Sequence, residues 1–194
     1  MDLFTALHTR RSIRRYIDLP VPPDLIDRLL KAATRAPSSH NSQPWRFAVV
    51  TTSDAKAQLA DRMGERLRAD RLREADRVEE IERDVARSRE RITSAPVIVV
   101  VCLSTIDLDD QLERLMAMQS VAASTENLLL AAHEADLGAC WMAAPLYCPD
   151  VVREVLQLPA DWDAQALITI GYPIGADPGK QRERIDFRQV TIWK

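Results

Sequence analysis

Glycine is scarce in this chain: five occur in 194 residues, and none fall into GxGxxG. That pattern lets a backbone turn tightly and close on a pyrophosphate, so its absence excludes an ordinary dinucleotide-binding loop. A P-loop and GxSxG are missing too, which removes the usual phosphate cradle and the usual serine elbow. Cysteine is limited to Cys102, Cys140 and Cys148, an odd number without CxxC spacing. A disulfide framework and a zinc site are therefore not expected, and a reducing cytoplasm is the default location. His8, His40 and His133 lie far apart with no metal-ligand spacing, so no metal is predicted and structural roles are expected, with His40 the best exception because of its loop. No apolar run approaches the roughly 18 residues that span a bilayer. The opening MDLFTALHTRR has no apolar core of a signal peptide. Net charge is only −3, so nucleic acid and membrane surfaces are not expected partners.

What is present is a hydrophobic fraction of 46%, enough for one sizeable core and a single domain over 1–194. Pro22, Pro23 and Asp24 open a helix that carries Leu25, Ile26, Leu29, Leu30 and Ala33 on one face and stops near Pro37. The turn-forming run PSSHNSQPW leads into a strand over 46–52, with Trp45 as a core anchor. VIVVVCL, at 97–103, is continuous, apolar and β-branched, and reads as a buried central strand in which Cys102 is a small hydrophobe. A long helix over 111–136 is apolar on most sides toward its end, so it reads as buried, with Gly138 as its C-cap. ACWMAA and ALITIGYP read as two more strands, with a short helix over 149–156 between them. The alternation predicts an α+β fold: a mixed central sheet of four to five strands, flanked by helices around a long buried one.

Residues 61–91 differ, with ten acids and ten arginines in those 31 positions. Leu67, Leu72, Val78, Ile81 and Val85 make only a thin apolar stripe. One reading is a solvated helix or helix pair laced by i,i+4 ion pairs. The other is a helical lid over a site with an arginine reaching inward, and the two are compatible.

Four stations carry chemistry. Arg10-Arg11-Ser12-Ile13-Arg14-Arg15-Tyr16 surrounds a hydroxyl with arginines. A planar guanidinium donates two hydrogen bonds at once to a phosphate, each worth roughly 1.5–3 kcal/mol net. The alternative is a basic helix end answering its own dipole. Pro37-Ser38-Ser39-His40-Asn41-Ser42-Gln43-Pro44-Trp45 stiffens a polar loop with prolines and presents donors and acceptors to a heterocycle edge; an ordinary polar connection is the alternative. Small residues around Ala143-Ala144-Pro145-Leu146-Tyr147-Cys148-Pro149 let backbone approach a flat ring. The tail offers Lys180 and Arg182 as further cations, or is an ordinary charged terminus.

Taken in order, these pieces resemble the FMN-dependent nitroreductase family over nearly the whole chain. They are RRSIRRY, APSSHNSQPWRF, SAPVIVVVC, NLLLAAHEADLGACW, ITIGYP and K-x-R, with APSSHNSQPW the most specific and 61–91 the weakest match. The resemblance implies a nitroreductase-like fold and a homodimer with two FMN sites at its interface and a C-terminal tail exchanged with the partner. It implies an FMN phosphate held by Arg10, Ser12 and Arg14, with Arg11 beside them and Lys180 and Arg182 from the tail. Pro37, Ser38, Ser39 and Asn41 would line the flavin from the partner subunit. Backbone near Pro145, Leu146 and Cys148 would approach the ring close to N5, and Arg91 would place a cation near it. Many members carry an acid-glycine pair where this chain has Tyr147-Cys148, which alters the expected N5 contact and substrate preference.

The activity implied is ping-pong hydride transfer from NAD(P)H through FMN to a nitroaromatic, quinone or enone. The cofactor carries the redox chemistry, so no catalytic side chain is expected. The stretch LGACWMAAPLYCPDVVREVLQLPADW also resembles the FMN-dependent reductase domain of deazaflavin-cofactor biosynthesis, the second reading. A flavin-cleaving synthase of the cobalamin lower ligand is the third, and a helical interaction module built on 61–91 is a non-enzymatic fourth.

Overall fold

The computed structural model describes residues 1–106, 108, 110–175 and 183–194. In chain order the elements are α1 (Leu3–Thr9), α2 (Pro23–Ala33), β1 (Trp45–Val50), α3 (Ser53–Arg73), α4 (Val78–Thr93), β2 (Val97–Ser104), α5 (Gln111–Glu134), β3 (Gly138–Met142), α6 (Pro149–Leu156) and β4 (Trp162–Gly171). Short 3-10 turns occupy Ser39–Asn41, Ala144–Tyr147 and Phe187–Gln189.

The run at 97–104 is the middle of the molecule because all eight of its residues are apolar or small and all are buried. Successive side chains of a strand point to opposite faces. Val97, Val99, Val101 and Leu103 therefore join a core with α2 and α5, whereas Ile98, Val100 and Cys102 join a second core with α3, α4 and α6. Each fully buried aliphatic side chain contributes about 1.5–3 kcal/mol relative to exposure. Burial also pushes the Cys102 thiol up to about 12, so it is an inert hydrophobe.

The sheet order is β1-β2-β4-β3, and each neighbouring pair is antiparallel. This corrects the expected mixed sheet: among the described residues the one parallel pairing is the isolated bridge Ser12–Ala139. A continuous apolar strand signals burial on both faces. Here helices on both faces supply that burial, and strand direction is left to the connections. β2 and β4 shift register between Val101 and Cys102, where the ladder passes from Ala166 to Ala164.

α2 begins with Pro23 in its first turn, where a missing N–H costs nothing. α5 runs 24 residues and buries Ala117, Ser120, Val121, Ser124, Thr125, Leu128, Leu129 and Ala132. Its first half is less covered than expected in the single chain: Leu112 and Leu115 are exposed. Gly138 is not the C-cap of this helix. The helix closes at Ala135, Asp136 turns left-handed at φ 57°, and Gly138 opens β3. Its lack of a side chain serves packing, because a Cβ there would lie 2.6 Å from Ile13 Cγ2.

The charged stretch is a helix pair, α3 and α4, and it starts at Ser53, earlier than expected. Its lacing is also different. Arg66–Asp70 is an i,i+4 pair, but Arg68–Glu82, Arg71–Asp84 and Arg89–Asp61 join one helix to the other. Arg66–Asp150 and Arg62–Glu154 tie α3 to α6. Of the thin stripe, Ile81 is fully buried, Leu67 and Val85 are half-buried, and Leu72 and Val78 are exposed. Lys56 was not foreseen: it is buried, and its Nζ donates to the Ala95 carbonyl at 2.7 Å, fastening α3 to the entry of β2. No described helix is long and apolar enough to cross a membrane.

Candidate functional site

The arginine station forms a strap over the sheet edge. β3 is an edge strand, and Ile13 N–H donates to the Ala139 carbonyl at 2.9 Å while Ser12 bridges Ala139. Farther on, Ile17 N–H donates to the Tyr172 carbonyl at 2.9 Å. The Tyr16 hydroxyl pins the strap from inside, bonding the Ile13 carbonyl at 2.6 Å and Thr169 Oγ1 at 2.8 Å. Desolvation pushes this phenol up, so it stays a neutral anchor.

With its backbone committed to the sheet, the strap turns its cations to three different tasks. Arg14 is exposed, with one contact to the Ser12 carbonyl at 3.3 Å. Its charge, like that of Arg91 in the last turn of α4, acts on the buried Cys140 thiol of β3. The positive charges of Arg14 and Arg91, 77 positions apart in sequence, are thus both felt at one residue of the edge strand. Burial still dominates at Cys140 and raises its thiol, with the two arginines opposing. Arg10 lies over α5, its Nε 3.3 Å from Glu126 Oε1 and buried without a hydrogen-bond acceptor. The distance gives charge attraction, but the alignment of a bond is missing. Arg11 turns back to its own helix, donating to the carbonyls of His8 at 2.8 Å and Arg10 at 2.7 Å. For Arg11 the helix-end reading is the one realised.

His133 of α5 sits behind this strap, its Nε2 2.7 Å from Thr9 Oγ1. Desolvation first, then Arg10, lowers its pKa, which keeps it neutral and structural.

The serine loop packs elsewhere on α5. Ser39 N–H donates to Ser120 Oγ at 3.2 Å, and Ser39 Oγ lies 3.4 Å from Met116 sulfur. Ser38 Oγ accepts from Gln43 N–H at 3.1 Å. His40, Asn41 and Gln43 are all left-handed, at φ 50°, 56° and 47°. Three such residues in four positions store backbone strain of the kind that accumulates at functional loops. Pro37 and Asn41 are exposed. Ser120 and Glu126 are six residues apart, about 9 Å along the helix at 1.5 Å per residue, and they leave it in different directions. The described contacts thus hold the loop and the strap at different places on α5 within one chain.

After β3 the chain makes its 3-10 turn. Pro145 is buried, Leu146 is exposed, and Tyr147 is 79% exposed. The Cys148 thiol is buried and pushed up to about 11, so it is no nucleophile. Beside the turn lies a cleft of about 280 Å³ reaching to α3 and α4. Lys180 and Arg182 lie outside the described residues. No group of three His, Cys, Asp or Glu among the described residues could hold a metal. Sequence reasoning missed Glu126 and Ser120, whereas the α3 wall of the cleft lies within the 61–91 stretch that reads as a lid over a site. Glu126 carried a signal, as the one acid between Val121 and Ala132 of α5.

A helix-covered antiparallel sheet whose edge carries an arginine strap defines an α+β protein. The sequence signature of the nitroreductase family matches residues 7–172, and the chain belongs to that family. A Methanothermobacter thermautotrophicus protein named NADH dehydrogenase/NAD(P)H nitroreductase is 32% identical over 198 residues, covering 100% of this chain and 88% of its own. A BluB-like flavoprotein from Clostridium difficile 630 superposes with a TM-score of 0.84 at 25% identity, covering 100% of this chain and 99% of its own. A nitroreductase from Desulfovibrio desulfuricans, solved in complex with FMN, gives 0.76 at 27% identity, covering 100% and 97%.

Proposed function

We propose that this chain is an FMN-dependent oxidoreductase, one unit over 1–194, that passes hydride from NAD(P)H to a small oxidised substrate such as a nitroaromatic, quinone or enone by a ping-pong scheme. The strap that lays exposed Arg14 along the sheet edge, fastened by Ile13 N–H to Ala139 and Ile17 N–H to Tyr172 in a chain of this family, carries the reading. The residues fit the phosphate: Arg14 is exposed, and Arg10 keeps a buried donor without an acceptor. Bound FMN supplies two-electron hydride transfer at N5. The protein's part is to bind, orient and place positive potential where negative charge collects. Arg10, Ser12 and Arg14 hold the phosphate, with Lys180 and Arg182 as further cations, and Arg91 supplies a cation near the ring. Pro145 and Leu146 bring backbone toward it.

The second half of the site, Pro37, Ser38, Ser39 and Asn41, comes from a partner copy, because one chain holds these groups apart along α5. Exposed Leu112 and Leu115 of α5, with Val190, Ile192 and Trp193 of the tail, are the apolar surface that a homodimer covers. The described tail has no strand of its own, only the 3-10 turn Phe187–Gln189, and in the dimer Val190, Thr191, Ile192 and Trp193 add as an edge strand to the partner's sheet.

Anaerobic reduction of the purified protein followed by a substrate panel tests the function. A yellow protein that releases FMN and bleaches with NAD(P)H is expected; released FAD or a colourless protein overturns the reading. Oxygen-dependent loss of the flavin itself would support the flavin-cleaving alternative, and preference for a dehydro deazaflavin precursor the biosynthetic one. Sedimentation at micromolar concentration should show a dimer, and removing Thr191–Lys194 should loosen FMN and lower Tm together.

A further inference from the structure

We propose that the cleft between α3, α4 and the Ala144–Tyr147 turn receives the tail of the reducible substrate and selects a single-ring aromatic with a positive substituent over one with a carboxylate. This rests on the function proposed above, because the turn that walls the cleft is the one that approaches the flavin.

At about 280 Å³ the space suits one ring with a short substituent, at the low end of ligand pockets. Its apolar wall is Met63, Leu67, Ala144 and Cys148, with Met63 and Cys148 buried. Tyr147 also lines the cleft, and as a residue 79% exposed it can offer its ring to stack on an aromatic or to attract a cation.

The charges around that wall are unequally used. Arg66 is held by Asp150 at 3.0 Å and by Asp70 at 3.2 Å. Arg71 is held by Asp84 at 3.1 Å and by Asp76. Both cations lining the cleft are thus already neutralised, each by two carboxylates. Glu74, also in the lining, is exposed and has no ion pair among the described residues. Arg73 and Arg87 share Asp70 and Asp84, yet Asp70, Glu74, Asp76, Asp84 and Asp150 still outnumber the four guanidiniums. An incoming carboxylate would meet an unspent acid and would have to break an existing pair to find an arginine. An ammonium would meet Glu74 and the Tyr147 face directly.

Steady-state kinetics of the holoenzyme with para-nitrobenzylamine and para-nitrobenzoate test the selection. The amine should have a kcat/KM at least tenfold higher, and Glu74→Gln should shrink that ratio at least threefold. Binding of the non-reducible pair benzylamine and benzoate, read by ligand-observed NMR, should show the same order and the same loss in Glu74→Gln. Equal handling of the two charges, or a ratio indifferent to Glu74→Gln, overturns the proposal while leaving the oxidoreductase reading intact. A protein that never bleaches with NAD(P)H overturns that reading instead, and the benzylamine arm still reports on the cleft.

Discussion

β2 and the α3–α4 pair lie against each other and are stabilised by opposite means. β2 is uncharged and buried over its whole length, with side chains alternating between two cores. The helix pair has few buried residues and is joined by guanidinium–carboxylate pairs, most of them solvent-exposed. The difference shows where stability and adaptability reside. Apolar burial is non-directional and resists salt, while exposed ion pairs contribute little each and yield to ionic strength. A rigid sheet carrying the strap, beside a helix pair of lower local stability forming a cleft wall, is a reasonable division between cofactor and substrate.

The comparison is sharpest at Leu167, fully buried against the second core. Leu167→Ala should lower unfolding free energy by about 2–5 kcal/mol, read from the urea midpoint. An effect within error would show that the sheet is not the stable partner. Arg14→Ala or Arg10→Ala should then weaken FMN binding by more than tenfold, through loss of a charge-assisted bond, with the dimer retained. Titration of the apoproteins decides this, and unchanged affinity in both would return the strap to a purely structural role.

Ile81→Ala removes the fully buried side chain of the thin stripe in α4. It should cost about 2 kcal/mol, at the low end for such truncations. Its mark should be faster amide exchange in α3 and α4, with β2 still protected; equal acceleration in β2 would erase the distinction.

Acid should act in the same place. Hydrogen bonding from Arg66 holds the Asp150 carboxyl below its usual range, and Arg68 does the same for Glu82. Carboxylates with depressed folded values stabilise fully above the ordinary value of roughly 4, and lose that contribution as pH falls through the lower folded value. Exchange should therefore quicken in the helix pair below about pH 4 before it does in β2. The smallest effect is expected for Arg68→Ala: slight destabilisation at low salt, vanishing at molar salt. Persistence of the full effect in molar salt would contradict the surface-pair description.

Much of the fold was legible because its signals are local. The proline-led start of α2, the β-branched run of β2 and the bounds of α6 at 149–156 follow from neighbours within a turn or two. Gly138 misled because a glycine after a helix has two uses, a left-handed cap or room for a neighbour, and Ile13, which decides between them, is distant in sequence. The charged stretch misled similarly. Spacing along one helix reveals i,i+4 partners, but Arg68 met Glu82 and Arg89 met Asp61 only once two helices lay side by side.

By itself, the sequence determined that 97–103 is buried, where α2 and α6 begin and which residue types could hold a phosphate, since hydrophobic period, prolines and guanidinium chemistry are properties of short stretches. Only the tertiary structure decided that the sheet is antiparallel, that Arg11 answers its helix while Arg14 stays exposed beside the edge strand, and that Glu74 is left unspent beside a cleft. Those outcomes depend on which distant groups become neighbours, and burial, charge pairing and packing room have no value until that neighbour is fixed.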